Sequence, residues 1–342
     1  MSQGVIRTVL GDIAPEALGV TLMHEHVLCD ITPPAMRGRA DLAPPITMAN
    51  RYDIDHGRIP HAGKTKLLDR GMMVAEVAAF RADGGAAMVE MTISGIAPDP
   101  LGLAEVSRHT GVHLVMGCGH YVQAFHDPAN ATRTVEDFAA EMVAAVRTGA
   151  WGTDVRAGII GEIGCTEIWT EQERRVMAGA VLAMQETGAA LTIHPGVVPD
   201  QPQEIVAFVR AHGGDVTRTI IDHVDRTIFD EDRLFRLADT GCVLEFDLFG
   251  FESAYWSYAP IHMPNDGTRI AMIRALFDRG HGAQVAISQD ICRLTRLLTY
   301  GGHGYGHILR NVLPLMRERG FTEAELDQIM VHTPRRLLTL PG

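Results

Sequence analysis

Along the chain, runs of five to eight apolar or β-branched residues recur after a glycine, each followed by a polar loop and then by apolar residues at helical spacing. Eight runs stand out: Val20–Val27, Ala86–Ile93, His113–Val122, Ala157–Gly164, Ala190–Pro195, Thr219–Val224, Cys242–Phe249 and Val285–Ile291. They are continuously apolar where a half-exposed strand would alternate, which is the pattern of parallel strands covered on both faces. Between them, Glu173–Glu186 and Arg269–Phe277 place apolar residues on one helical face, and Thr170 with Glu173 forms a capping-box signature. Gly84, Gly111, Gly149, Gly188, Gly213, Gly241, Gly280 and Gly320 fall where the predicted helices end. Eight βα units without an intervening linker predict an α/β fold, a (β/α)8 TIM barrel forming a single domain over residues 1–342.

Two connections are long, 31–65 with Pro33, Pro34, Pro44 and Pro45, and 250–267 with Tyr255, Trp256 and Tyr258. Both follow a strand, and in this architecture such loops build the active-site face. They are candidate lids or substrate walls; the alternative is surface insertion without a role.

The composition, 46% hydrophobic and 21% charged with 35 glycines, is that of a folded globular protein with many tight turns. Thirty basic against 42 acidic side chains give a net charge of −12, which repels nucleic acid and anionic membranes and favours a small-molecule substrate. Met1–Gly11 lacks a signal-peptide pattern, and no apolar run approaches the roughly 20 residues of a membrane span. Five cysteines without a CxxC pair suit reduced thiols, so a cytoplasmic location is expected.

The chemistry gathers at strand ends. In His24-Glu25-His26 the period-2 alternation of a strand points both histidines to one side and Glu25 to the other. His194 ends the fifth strand, His223 the sixth and Asp290 the eighth, so four imidazoles and a carboxylate meet at one mouth. Imidazole and carboxylate ligands suit zinc first, and manganese, cobalt or iron in similar geometry. Two divalent ions sharing this set need an anionic bridge, and Glu162 at the end of the fourth strand supplies it. A salt-bridged wall glutamate is the alternative. Asp225 is placed either to support His223 or to cap the following turn. After Asp290, a glycine-rich loop carries Arg293, Arg296, His303, Tyr305 and His307. A guanidinium there can clamp a carboxylate, sulfonate or phosphate, with Arg293 the first candidate and His303 and Tyr305 as companions, or the loop is simply rigid. His120 and Tyr121, ending the third strand, are placed to line the same pocket.

The runs GVTLMHEHVLCD, GEIGCTE, TIHPG, IDHVDR, SQDICRLTRLLTYGGHGYGHI and HTPRRLL, spread in order over nearly the whole chain, resemble motifs of the phosphotriesterase family of the amidohydrolase superfamily. The strand-four glutamate and YGGHGYGHIL are most similar to its phosphotriesterase-related protein branch. The resemblance implies that His24, His26, Glu162 and Asp290 hold a buried metal ion, and that Glu162, His194 and His223 hold a more exposed one. It further implies a bridging hydroxide as nucleophile, Asp290 as the catalytic group that takes its proton, and a homodimer. Paraoxon-degrading members use a carboxylated lysine on strand four, which is excluded here because Lys64 and Lys66, the only lysines, lie in the first long loop. They also carry a histidine ending strand seven, where LEFDLFGFES offers Asp247 instead. The expected activity is metal-dependent hydrolysis of a small ester, lactone or amide. A phosphoester or phosphotriester hydrolase and a noncatalytic ligand-binding barrel are the other readings.

Overall fold

A computed structural model describes residues 4–252 and 261–341. Its α/β fold contains eight parallel strands: β1 (Thr21–Glu25), β2 (Ala87–Glu90), β3 (His113–Met116), β4 (Ile160–Gly164), β5 (Leu191–His194), β6 (Thr219–Ile221), β7 (Val243–Phe246) and β8 (Val285–Ile287). Each is shorter than the apolar run that predicts it, because the last residues of several runs leave the ladder and turn toward one another. Asp290, for instance, lies three residues beyond β8 with φ +45°.

The ladders are β1-β2-β3 and β4-β5-β6-β7-β8. Backbone bonds join the two sheets at both edges. Gly158 N donates to Met116 O at 2.9 Å and Gly161 N to Cys118 O at 2.7 Å on one side, and Asp290 N donates to His24 O at 3.2 Å on the other. At least one residue from, or directly before, every strand packs into a common apolar cluster: Met23, Ala87, Val89, Val115, Ile159, Ala190, Ile220, Val243 and Ala286. Their alternate neighbours, such as Leu22, Met88, Leu114 and Leu244, pack in a second cluster with the helices. This is the period-2 division of a parallel sheet buried on both faces. Ile6, Leu18, Leu337 and Leu338 join the first cluster, so the antiparallel ribbon of Val5–Thr8, Gly11–Ile13 and Thr339–Leu340 is built into the core.

Helices α1 (Arg70–Ala82), α2 (Pro100–Thr110), α3 (Val135–Arg147), α4 (Glu171–Thr187), α5 (Gln201–Ala211), α6 (Glu231–Ala238) and α7 (Asp266–Asp278) alternate with the strands. The Thr170–Glu173 capping box forms, with Glu173 N donating to Thr170 Oγ1 and Thr170 N to Glu173 Oε2, both at 3.1 Å. The buried Glu173 carboxylate also accepts from Gln123 N at 3.0 Å and Thr166 Oγ1 at 2.9 Å, so this cap also fixes the loops after β3 and β4. Gly188 then closes α4 in the left-handed region, at φ +71°. Helix α7 begins three residues before the predicted Arg269, because Asn265 caps it through Thr268 N at 2.8 Å.

The first long connection is held as a wall. Cys29–Asp30 and Lys66–Leu67 pair antiparallel at its base, and Arg51 donates to Thr295 O in the loop after β8 at 2.9 and 2.6 Å. In the second, positions 253–260, with Tyr255, Trp256 and Tyr258, lie outside the described residues. No helix among the described residues is long and apolar enough to cross a membrane.

The end of β6 is tied to α7 by a buried ion pair. Arg269, fully buried, donates from Nε to Asp225 Oδ2 at 2.5 Å, and also to Asp266 Oδ1 and Phe251 O at 2.9 Å each. Asp225 in turn accepts from Leu248 N at 3.2 Å, so it braces the β7 loop and does not merely cap its own turn. Removing one member of such a pair strands the other without compensation. Arg269→Met is therefore expected to cost about 3–5 kcal/mol of unfolding free energy, readable from a denaturant midpoint; a loss below about 1 kcal/mol would show that Asp225 is satisfied by other groups.

Candidate metal centre

Strand β1 sets the geometry. Glu25, facing away from the two histidines, is fully buried and accepts from Ser288 Oγ at 2.8 Å, Gln289 N at 2.9 Å and Ile291 N at 3.0 Å. These bonds wrap the backbone after β8 around one carboxylate and hold Asp290 beside His24 and His26. Asp290 and His223 are two of four non-glycine residues with positive φ among the described residues, at +45° and +52°. Such conformations cost roughly 1–3 kcal/mol each and persist only where surrounding contacts impose them. Gly161, at φ +113°, lies so close to β5 that a Cβ there would sit 2.1 Å from Thr192 O. That approach brings Glu162 into the centre.

The six residues singled out by the sequence meet there. Glu162 Oε2 lies 2.8 Å from His194 Nδ1 and 3.6 Å from both His24 Nε2 and His223 Nε2; Oε1 lies 3.4 Å from His26 Nε2. Asp290 Oδ1 lies 3.3 Å from His26 Nε2 and 3.9 Å from His24 Nε2. His223 Nε2 and His194 Nδ1 are 2.9 Å apart and face the same carboxylate. The His24 ring is fully buried with neither nitrogen hydrogen-bonded, an unfavourable state for imidazole unless another species takes its lone pair. Ligand atoms of His24, Glu162 and His223, and of His24, His26 and Asp290, lie within 4.8 Å of one another. The donor set and the unpartnered His24 fit divalent metal ions.

Electrostatics follow from burial opposed by these contacts. Burial disfavours a charged His24, yet Glu162, Asp247 and Asp222 raise it well above the ordinary histidine range. His223 is likewise pushed up to about 9, burial being overcome by Asp247. His194 goes the other way, to about 4, because burial, His223 and Arg226 outweigh the Glu162 contact.

Three residues beneath the centre were not in the sequence-derived ligand set. Asp247 accepts from His223 Nδ1 at 2.7 Å and from His223 N at 3.0 Å, fixing both ring and backbone. Asp222 and Glu245 are fully buried nearby, and ligand atoms of His24, Asp222, Glu245 and Asp247 also lie within 4.8 Å of one another. Burial raises Asp222 to about 7, and burial beside Asp222 and Asp247 raises Glu245 well above the carboxylate range. Their signal was present: acids inside apolar strand runs are too costly to bury without a purpose.

The expected substrate contacts divide. Tyr121 packs edge-on against His194, ring centres 5.0 Å apart, at the centre itself. His120 turns out to the helical layer: its ring packs on Phe138 of α3 at 5.1 Å, Nδ1 meets Asn130 Nδ2 at 3.1 Å, and Nε2 lies 3.2 Å from Glu141. Tyr305 is a correction, since it is wholly buried and donates to His26 O at 2.6 Å; it supports β1 and has no surface to offer a substrate. His303 Nδ1 meets Gly304 O at 3.1 Å, and burial lowers its pKa to about 3. Arg293 lies 3.7 Å from Asp55, in the first long loop. Arg226, which sequence reasoning did not single out, is buried at the mouth and donates to Pro195 O at 3.0 Å, with His194 Nε2 at 3.1 Å.

Comparison with known proteins shows the family. The model of the phosphotriesterase family matches residues 4–338. The chain belongs to that family. It is 39% identical over 342 residues to the N-acetyltaurine hydrolase of Homo sapiens, covering 98% of each chain. Among solved structures it is similar to a resiniferatoxin-binding protein from Rhodobacter sphaeroides, with 34% identity, TM-score 0.92, and 98% and 95% of the two chains covered. A lactonase from Listeria monocytogenes gives 25% identity, TM-score 0.82, and 99% and 100% coverage. This phosphotriesterase-family chain is thus an enzyme of the hydrolase class.

Because Glu25 holds the Asp290 turn by accepting from both backbone and side-chain donors, Glu25→Gln sets an amide N–H against at least one of them. A loss of about 1–3 kcal/mol in unfolding free energy is expected, along with weaker metal retention, although Glu25 faces away from the centre. Unchanged stability on chemical denaturation would show that the turn holds without it.

Proposed function

We propose that the two joined sheets close as a (β/α)8 barrel forming one domain, and that the chain is a binuclear metal-dependent hydrolase of small amides or lactones. The observation that carries this reading is the convergence of three further imidazoles and two carboxylates around a buried His24 whose ring nitrogens lack hydrogen-bond partners. His24, His26, Glu162 and Asp290 would hold one divalent ion, zinc in the first instance, and Glu162, His194 and His223 a second. Bound there, such ions polarise a scissile carbonyl and lower the pKa of water to near 7.

The chain's own residues supply the rest. Asp290, 3.3 Å from His26 and partly open at the mouth, is placed to accept a proton from the attacking water and return it to the leaving nitrogen or oxygen. Burial opposes its ionised form, but His26 and His24 keep it well below the ordinary carboxylate range. Asp247 holds the His223 ring through Nδ1, leaving Nε2 turned to the centre. Tyr121 supplies an apolar wall beside His194. The name of the human relative favours an amide of an aminosulfonic acid, and the listerial neighbour's name adds lactones. The cysteine pattern favours a cytoplasmic location, and the family resemblance favours a homodimer.

Metal-replete protein is expected to hold close to two divalent ions per chain and to cleave N-acyl amino-acid or aminosulfonate amides, or lactones, within a panel that includes carboxylic esters and phosphotriesters. One ion or fewer by elemental analysis would remove the binuclear reading. Two ions with no cleavage of any member would favour a binding protein. Glu162→Gln should weaken both ions at once, since the shared ligand loses its charge; full metal content and turnover in that variant would exclude Glu162 as the bridge. In Asp290→Asn the amide oxygen can still meet a metal but the group no longer accepts a proton. Turnover should fall about 10²- to 10⁴-fold with KM less affected, metal content being measured on the same sample.

A further inference from the structure

A second concentration of titratable side chains lies beneath the mouth. Asp222 directly follows β6, Glu245 lies in β7, and Asp247 comes two residues later, on the same side of the chain by the period of a strand. Val243, two residues before Glu245, packs in the common apolar cluster, so the two acids continue that row of β7. Asp222, Glu245 and Asp247 are fully buried, as is His24 of β1. His24 Nδ1 lies 3.4 Å from Asp247 Oδ2 and 3.7 Å from Asp222 Oδ2, while Nε2 faces Glu162 and Asp290. One ligand atom from each of His24, Asp222, Glu245 and Asp247 lies within 4.8 Å of the others.

Hydrogen bonds account for only part of this group. Asp247 accepts from the His223 ring and backbone, and Asp222 Oδ1 accepts from Thr192 Oγ1. Asp222 Oδ2, both oxygens of Glu245 and both ring nitrogens of His24 have no hydrogen-bond partner among the described residues. Ionised carboxylates only accept, so acids this close in a volume closed to water repel unless positive charge stands between them. His24 gives an independent sign. An imidazole that ligates a metal through one nitrogen almost always donates its other N–H to a nearby acceptor. Both acceptors beside Nδ1 lie beyond ordinary N–H···O distance. One ion at Nε2 therefore satisfies only half of the ring.

We infer that His24 Nδ1, Asp222, Glu245 and Asp247 form a third metal site, closed to solvent, with the His24 ring bridging it to the buried ion of the mouth. Three carboxylates and an imidazole suit zinc or manganese. Four protein ligands without an open position make a site that holds structure, in contrast to the mouth, where a position must stay open for water and substrate. The ion displaces the remaining His24 ring proton, which leaves for solvent. It ties β1 to β7 and to the end of β6, and so fixes the strands that carry His24 and His223. Because all four residues are closed to solvent, the ion enters as the chain folds, and metal added after folding fills the mouth alone. The inference rests on the hydrolase reading for the ion at Nε2, but not for the three carboxylates below it.

Elemental analysis under two loading regimes, together with anomalous diffraction at the zinc edge, tests it. Protein unfolded with chelator, refolded without metal and then given zinc should hold close to two ions per chain. The same chain refolded in zinc should hold close to three, and its crystals should show a third anomalous peak between His24 Nδ1, Asp222, Glu245 and Asp247. Glu245→Gln and Asp222→Asn should each return the count to two and remove the third peak while the mouth stays filled. Two ions under both regimes, with no peak below His24, would show that protons hold the acids together and would overturn the site. A third ion kept by both variants would also overturn it, since that ion lies elsewhere. If Asp222→Asn does not refold, Glu245→Gln carries the same test, and the wild-type anomalous map decides without any substitution. A peak below His24 in a chain whose mouth takes up no zinc would leave the third site standing and remove the binuclear reading. Two peaks at the mouth and none below would do the reverse.

Discussion

One carboxylate, Glu162, lies within 3.6 Å of four imidazole rings contributed by β1, β5 and the end of β6. Placing so many titratable groups in a volume closed to water is unfavourable by desolvation, and it is tolerated because opposite charges, or cations shared among them, offset that cost. The rest of the mouth follows from this requirement. The strands stop short so that their last residues can turn inward. Glycine stands at 161, where a side chain would collide with β5, and His223 and Asp290 accept backbone angles that most residues avoid.

The centre is held by residues that never face it. Glu25 gathers three donors from the chain after β8, Asp247 fixes the His223 ring, Tyr305 supports the His26 carbonyl, and Arg269 locks the turn after β6 to α7 through Asp225. Each is a buried polar group fully engaged at close range, and such groups fix position because any displacement leaves a charge unsatisfied. Beneath them the apolar cluster to which every strand contributes gives the ring of ligands a rigid base. Geometry of this kind suits chemistry that needs reacting groups held to fractions of an ångström.

Charge is distributed unevenly over the molecule. The chain is acidic overall, whereas Lys64, Arg293 and Arg296 are buried where the first long connection meets the loop after β8.

The sequence by itself determined the eight strands, the order of the helices and the six residues that converge, because period-2 and period-3.6 patterns are local and because strand ends in a βα repeat share one face. It also distinguished Glu25 from its histidine neighbours by alternation alone. Only the tertiary structure decided where side chains in loops and turns point. His120, placed by sequence at the pocket, turns to α3; Tyr305 is buried under β1; Arg293 meets Asp55, 238 positions earlier. The acids Asp222, Glu245 and Asp247 could be seen in the sequence as charges within apolar runs and Arg226 just beyond one, but their partners come from other strands. Those pairings depend on long-range approach of elements, which no local periodicity encodes.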